Sequence, residues 1–420
     1  MKTALVRAAV AGGLLCMTAS LLLAPGSAAA GAGPGRDPGE GSYNGLALTP
    51  PMGWNSWNKL RCGVDEEDVR GIADAIVAKG LDELGYRHIT VDDCWMANSR
   101  DAHGDLTADP ERFPSGMKAL GDYLHARGLK FGLYGSPTQG TCQKRPGSYG
   151  HERQDARRFA DWGVDYLKYD WCQTSPEESP DMWADFPGHT QKQLARVLFP
   201  RMAKALQETG RPIVYSLSAC CEDLGFPEWG RSTANLWRTS TDISDTWESM
   251  LANFEAAAAF PEAAGPGGWN DPDMLEIGNG GMTDTEYRSH LSLWAMLAAP
   301  LIAGNDLRTM SEETRRILTN RRVLAVDQDE RGEQAAVLTR ENGRWVLSRR
   351  LADGSRAVAL FNATGKEQRL ATTAEAAGLP GSRHGYRVRD LWSGRASHTA
   401  GELSATVPAH GTVLLRVARR

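Results

Sequence analysis

The sequence lacks a Cys-X-X-Cys pair and any Cys/His spacing of the zinc-binding kind, which sets aside a zinc-built fold or a zinc-centred reaction. It also lacks an excess of positive charge. The formal net charge is -5, which argues against nucleic acid and anionic membrane surfaces as partners. There is no Asp-X-Asp-X-Asp-Gly calcium loop. No glycine-rich phosphate loop follows the first strand-like run, and this disfavours a doubly wound dinucleotide-binding sheet. Past Leu23, no apolar run is long enough to cross a bilayer.

What is present is an ordinary soluble composition, 41% hydrophobic and 24% charged. A length of 420 residues suits one large domain with a smaller companion. Thirteen tryptophans is a high count; tryptophan fills cores and also covers the apolar face of sugar rings. The first thirty residues read as a signal peptide. Lys2 and Arg7 form a basic start, Ala8 to Leu23 an apolar stretch, and Gly26-Ser27-Ala28-Ala29-Ala30 the small residues before cleavage. Residues 31–44 form a flexible lead. The mature chain is expected to be secreted, with no membrane association after cleavage. Cys16 leaves with the signal, and six cysteines remain, at 62, 94, 142, 172, 220 and 221. In an exported protein an even number implies disulfides.

From residue 45 to 324, β-rich runs alternate with helical ones. The expected strands are Leu46–Gly53, Arg87–Asp92, Lys130–Tyr134, Asp165–Asp170, Pro212–Leu217, Ala234–Thr239, Gly267–Asp271 and Pro300–Ala303. Helical patterns lie between them, including Glu66–Ala78 and Asp284–Leu297. This alternation predicts an α/β fold, a (β/α)8 TIM barrel. Residues 325–420 change texture to short alternating runs such as Arg344–Arg350, Arg356–Asn362 and Thr412–Val417, which predict a C-terminal antiparallel β-sandwich. Asn362-Ala363-Thr364 has the form of a glycosylation sequon.

Barrel chemistry collects where strands end. Those ends carry Trp54, Asp92-Asp93, Tyr134, Lys168 with Asp170, Arg238 followed by Asp242, and Asp271 with Asp273. Singly, each aspartate is more often a helix N-cap. Together they form a ring of acceptors beside tryptophans, which suits a polyhydroxylated ring. Asp170 is the odd one: it closes a strand between Tyr169 and Trp171, where a structural aspartate would sit in a turn. Two carboxylates, Asp170 as nucleophile and Asp242 as proton donor, can hydrolyse a glycosidic bond. Lys168, two residues back on the same face, helps keep Asp170 ionised. A metal reading of Asp92-Asp93 or Asp271 and Asp273 competes, but Lys168 and Arg238 oppose a cation, so neither metal nor cofactor is expected.

MGWNSW, VDDCW, KFGLYG, GSYGHERQDARRFADWGVDYLKYDWC, RTSTDISDTW and GPGGWNDPDMLEIGNGGMT together resemble the α-galactosidases of glycoside hydrolase family 27, over nearly all of Leu46 to Gln328. The resemblance implies a retaining exo-glycosidase acting on terminal α-galactosyl groups of oligo- or polysaccharides. It places Asp170 on the nucleophile and Asp242 on the acid/base. Asp92 and Asp93 fall on contacts to the 4- and 6-hydroxyls, Trp54 on the aromatic wall, and Lys168, Arg238, Asp273 and Tyr134 on further sugar contacts. Cys62–Cys94 and Cys142–Cys172 match the family's disulfides. One stretch departs. After the fifth strand the family usually carries a glutamate for the 2-hydroxyl, whereas here Ser218 occupies that place, followed by Ala219-Cys220-Cys221-Glu222. A small residue there resembles the family's α-N-acetylgalactosaminidases, Glu222 is an alternative 2-hydroxyl ligand, and β-L-arabinopyranosides stay open as substrates. Cys220 and Cys221 are either a vicinal disulfide or free thiols.

Overall fold

A computed structural model describes residues 42–420. The expected signal peptide and most of the lead lie outside the described residues. Eight parallel strands form one sheet: β1 (Met52–Asn55), β2 (Tyr86–Val91), β3 (Lys130–Gly135), β4 (Tyr166–Asp170), β5 (Val214–Ser218), β6 (Leu236–Arg238), β7 (Trp269–Asp271) and β8 (Leu301–Ala303). From β1 to β7 each strand pairs with the next in sequence, and β8 pairs with β1. A parallel bridge between Leu275 and Ala303 joins the chain after β7 to β8 and closes the ring. The expected β1 began at Leu46; the strand starts at Met52. Pro50 and Pro51 have no N–H to give a ladder, and Ala47 is in a left-handed conformation. Gly53 is required where β1 meets β2, since a Cβ there would stand 1.9 Å from the His88 carbonyl oxygen.

The helices are α1 (Trp57–Leu60), α2 (Glu66–Ala78), α3 (Gly116–His125), α4 (Glu152–Asp161), α5 (Pro180–Asp185), α6 (Gln191–Glu208), α7 (Phe226–Trp229), α8 (Trp247–Ala258), α9 (Asp284–Leu297), α10 (Glu312–Leu318) and α11 (Arg321–Asp327). Their starts are written locally. Asp65 caps α2 by accepting from the Asp68 N–H at 2.8 Å. Thr283 and Glu286 form a capping box on α9. Val69, Ile72, Ala73 and Ile76 recur at helical spacing and turn one face of α2 into the core.

The sandwich strands are β9 (Ala336–Glu341), β10 (Arg344–Arg350), β11 (Arg356–Asn362), β12 (Gln368–Thr373), β13 (Tyr386–Asp390), β14 (Ala396–Thr399), β15 (Glu402–Val407) and β16 (Thr412–Arg419). Six form one antiparallel sheet in the order β14-β13-β16-β11-β10-β9, and β12 pairs with β15. Val358, Leu360, Leu370, Leu403, Val407 and Val417 fill the space between the sheets. On the barrel side, Phe254 of α8 packs edge-on against Trp345 and Phe361, with centroids 5.4 and 5.8 Å away. Barrel and sandwich thus share one apolar core. The sequon asparagine is unusable: Asn362 is fully buried, and its amide donates to the carbonyls of Lys366, Val407 and Pro408.

Candidate active site

Parallel register brings the strand ends level. Asp170 at the end of β4 lies opposite Ser218 at the end of β5, and Arg238 of β6 lies opposite Asp271 of β7. Asp170 is 4% exposed and held from one side only. Its Oδ2 accepts from the Tyr134 hydroxyl at 3.0 Å. Its Oδ1 is buried with no hydrogen-bond partner. Burial pushes the Asp170 carboxyl above the usual range; Lys168 opposes this, and Asp242 adds to it.

The Lys168 ammonium does not bond Asp170 directly. Its partner is Asp92, at 2.8 Å. Burial works against the lysine's charge, but Asp92 first and then Asp170 hold it above the ordinary lysine range. Lys168 therefore acts on Asp170 through space while fixing Asp92. The other Asp92 contacts come from Asn55, which donates to Oδ2 at 2.8 Å, and from the Asp93 N–H, which donates to Oδ1 at 2.9 Å.

Asp93 is tied at both oxygens. Thr141 Oγ1 donates to Oδ1 at 2.9 Å, the Cys94 N–H to the same oxygen at 2.7 Å, and the Gln143 N–H to Oδ2 at 2.8 Å. Burial pushes its carboxyl up to about 6. Asp93 thereby anchors the loop that carries Cys142. Both expected disulfides are present, Cys62–Cys94 and Cys142–Cys172. Cys172 also brings its sulfur within 3.2 Å of the Tyr134 hydroxyl that holds Asp170. Cys94 and Asp273 both carry positive φ, 75° and 80°. Non-glycine residues seldom adopt that backbone; Cys94 adopts it within a disulfide and Asp273 within an ion pair to Arg238.

Arg238 serves two carboxylates from one nitrogen. Nη2 lies 3.0 Å from Asp242 Oδ1 and 3.0 Å from Asp273 Oδ2. Its Nη1 and Nε are buried and unpartnered. Asp273 also accepts from the Ile243 N–H at 2.8 Å, which pins the segment just after Asp242. The Asp242 side chain is the open one, 45% exposed. Trp54 is fully buried and donates its indole N–H to the Asn305 carbonyl at 2.8 Å. Ser218 is buried with an unpartnered hydroxyl. Glu222 is exposed and lines a cavity of about 350 Å³ between the loops after β5 and β6, together with Arg238 and Ser240.

Asn55, Thr141, Gln143 and Ser240 were not anticipated from the sequence. Asn55 carried a signal: a polar residue closing a wholly buried strand. Ser240 is marked by its buried, unpartnered hydroxyl, its place in the cavity wall and its carbonyl, which accepts from Arg238 Nη2 at 3.3 Å.

Comparison with known proteins agrees with this geometry. The family model described as "Alpha galactosidase A" matches residues 49–329, and that of the "Alpha galactosidase C-terminal beta sandwich domain" matches 341–417. The chain belongs to the α-galactosidase family. It is 45% identical to an α-galactosidase of Cyamopsis tetragonoloba over 374 residues, covering 87% of this chain and 85% of that one. It is 41% identical to an α-N-acetylgalactosaminidase of Gallus gallus, covering 84% and 88% of the two chains. Among solved structures, α-galactosidase I of Mortierella vinacea superposes with a TM-score of 0.83 at 36% identity, covering 90% of this chain and 98% of that one. As a member of this family, the chain is a glycosidase.

Proposed function

We propose that this glycosidase is a retaining exo-enzyme that removes terminal α-D-galactosyl groups, with Asp170 as nucleophile and Asp242 as acid/base. The observation that carries this reading is the asymmetry of Asp170. One oxygen is fixed by Tyr134, and the other is buried, unpartnered and free to form a bond. Asp170 attacks the anomeric carbon as the glycosidic C–O bond breaks, and Asp242 gives a proton to the departing oxygen. Water then attacks the glycosyl-enzyme, Asp242 takes the water's proton, and Asp170 leaves. Two inversions give net retention. Lys168, half-buried, and Arg238, buried, both among carboxylates, fix the charges around the sugar. Asp92, Asp93, Tyr134, Lys168, Arg238 and Asp273 bind its hydroxyls, with Trp54 in the wall behind. No cofactor takes part. The two disulfides and the basic, apolar, small-residue start of the sequence support a secreted protein; N-terminal sequencing of exported material should begin at Gly31.

A second reading rests on Ser218. No carboxylate closes β5, the Ser218 hydroxyl is unpartnered, and Glu222 is exposed. That leaves room for a 2-acetamido group, as in the activity named for the Gallus gallus relative. Hydrolysis of p-nitrophenyl α-D-galactoside, α-D-N-acetylgalactosaminide and β-L-arabinopyranoside, side by side, separates the readings. We expect the galactoside to be the preferred substrate. Preference for either other glycoside transfers the assignment to it, and hydrolysis surviving in Asp170→Asn removes the mechanism. Proton NMR of the first-released sugar should show the α-anomer; a β-anomer would exclude retention.

A further inference from the structure

Cys220 and Cys221 are the two unbridged cysteines among the described residues. They follow the end of β5, their sulfurs lie 2.8 Å apart, and Cys221 is exposed while Cys220 is half-buried. The pair is coupled to the catalytic rim by one bond. The Cys220 carbonyl accepts the backbone N–H of Asp242 at 3.1 Å. The Cys220 thiol is pushed up by burial first and by its bond to Cys221, with the charges of Asp170 and Asp242 among the further causes.

The carbonyl that holds Asp242 belongs to the peptide bond between the two cysteines. That peptide would lie inside the ring of a Cys220–Cys221 disulfide. Neighbouring Cα atoms are about 3.8 Å apart across a trans peptide, whereas a disulfide spans about 4.4–6.8 Å between Cα atoms. Twisting the peptide cannot relieve this mismatch, because trans already gives the longest Cα separation, about 3.8 Å against about 2.9 Å for cis. Closing the ring instead forces the φ and ψ torsions on either side of the peptide to change, and its carbonyl turns with them. The Asp242 N–H loses its acceptor, and the side chain keeps only its contact with Arg238.

We propose that Cys220 and Cys221 form a redox-active vicinal dithiol, oxidised by low-molecular-weight disulfides, whose closure displaces Asp242 and slows proton donation to the leaving group. The reaction balances as two exchanges. The exposed Cys221 loses its proton and attacks one sulfur of the small disulfide, whose S–S bond breaks and releases one thiol. Cys220 then loses its proton and attacks Cys221 Sγ, releasing the second thiol. Two electrons pass from the protein pair to the small disulfide. The effect on catalysis rests on Asp242 being the acid/base. It falls on substrates that need protonation, such as methyl α-galactoside, and spares 2,4-dinitrophenyl α-galactoside, whose leaving group departs as an anion.

The test equilibrates the full chain in oxidised and reduced glutathione at graded ratios. Free thiols are counted, the mass is recorded, and kcat/KM is measured on both galactosides. Oxidation should remove two thiols and two hydrogen atoms without dimerisation. It should lower kcat/KM for the methyl glycoside about tenfold or more, within the range expected for general-acid catalysis, and change the dinitrophenyl glycoside less than about twofold. Dithiothreitol should restore activity. Cys221→Ser should keep the reduced protein's activity and be indifferent to glutathione. Retention of both thiols at every ratio, or their loss with both activities unchanged, overturns the proposal. Asp242→Ala separates the two assignments. If it treats the two substrates alike, the acid/base assignment is wrong. If it discriminates between them and the oxidised protein does not, the dithiol proposal is wrong.

Discussion

The loops after β1 to β4 and those after β5 and β6 build one rim by different means. On the first side, Cys62–Cys94 ties the segment after β1 to the end of β2, and Cys142–Cys172 ties the loop after β3 to the end of β4. Asp93 is tied at both oxygens, and Lys168 binds Asp92 across from β4 to β2. On the second side there is no disulfide among the described residues. The loops after β5 and β6 meet through the bond from Asp242 to the Cys220 carbonyl, and Arg238 divides itself between Asp242 and Asp273. The difference fits the two tasks proposed for Asp170 and Asp242. A nucleophile must stay at one position to bond a carbon atom, and rigid positioning serves it. A group that first gives and then takes a proton works with more freedom, and Asp242 is correspondingly exposed.

The comparison can be broken most severely at Asp170. Asp170→Asn should lower kcat about 10⁴-fold or more without lowering the thermal midpoint, since the amide oxygen still accepts from Tyr134. A large fall in thermal midpoint would mean that Asp170 is structural. Next comes the staple. Cys142→Ala with Cys172→Ala should remove about 3–4 kcal/mol of stability, as expected from freeing a loop of about 30 residues, and should lower kcat because the Tyr134 and Asp93 supports loosen together. Unchanged kcat in a folded variant would mean that the staple does not set the nucleophile.

A milder change sharpens the electrostatic side. Lys168 holds the Asp170 carboxyl down against burial. In Lys168→Met that carboxyl rises further, and because the nucleophile works ionised, the acidic limb of kcat/KM should move to higher pH. A limb that stays in place would show that Lys168 serves only Asp92. The smallest effect on activity lies away from the rim. Burial pushes Asp327 up to about 8, with Arg349 opposing. Its folded value lies above the unfolded one, so the folded state holds the proton more tightly, and stability falls as pH rises from about 4 to 8. Asp327→Asn should flatten that slope in thermal midpoint against pH; an unchanged slope would remove Asp327 as its source.

Much of this was legible in the residues, and the gaps have physical causes. All eight barrel strands were expected because buried parallel strands are written as apolar runs. The starts of β1 and of β4 to β8 were placed one to six residues too early, that of β2 one residue late, and that of β3 where it is. In the sandwich, Ala336–Glu341, Ala396–Thr399 and Glu402–Val407 went unseen. The first two are edge strands of the larger sheet, mostly exposed, and an exposed edge carries no alternation to read; the third pairs only with β12 and buries just Leu403 and Val407. Helix α11 runs across residues 324 and 325, where the texture of the sequence changes. Asp170, Asp242 and their neighbours could be named because strand ends and aromatic partners marked them. That Lys168 bonds Asp92 could not, because the partner of a long side chain is decided by packing between strands far apart in sequence.

The first residue of α8, Trp247, lies flat on His410 of the sandwich, with rings 4.1 Å apart and 7° from parallel, and His410 bonds Glu286 at 2.7 Å. Helix ends are ordinarily where a protein opens first on warming. Here the helix that begins just past Asp242 has its first turn weighted down by another layer of the molecule. The cheapest local opening near Asp242 is therefore closed to it. Warming should leave no interval in which the protein is folded but idle: activity and tertiary structure should disappear over the same few degrees, and the sandwich, remote from the sugar, would set that temperature.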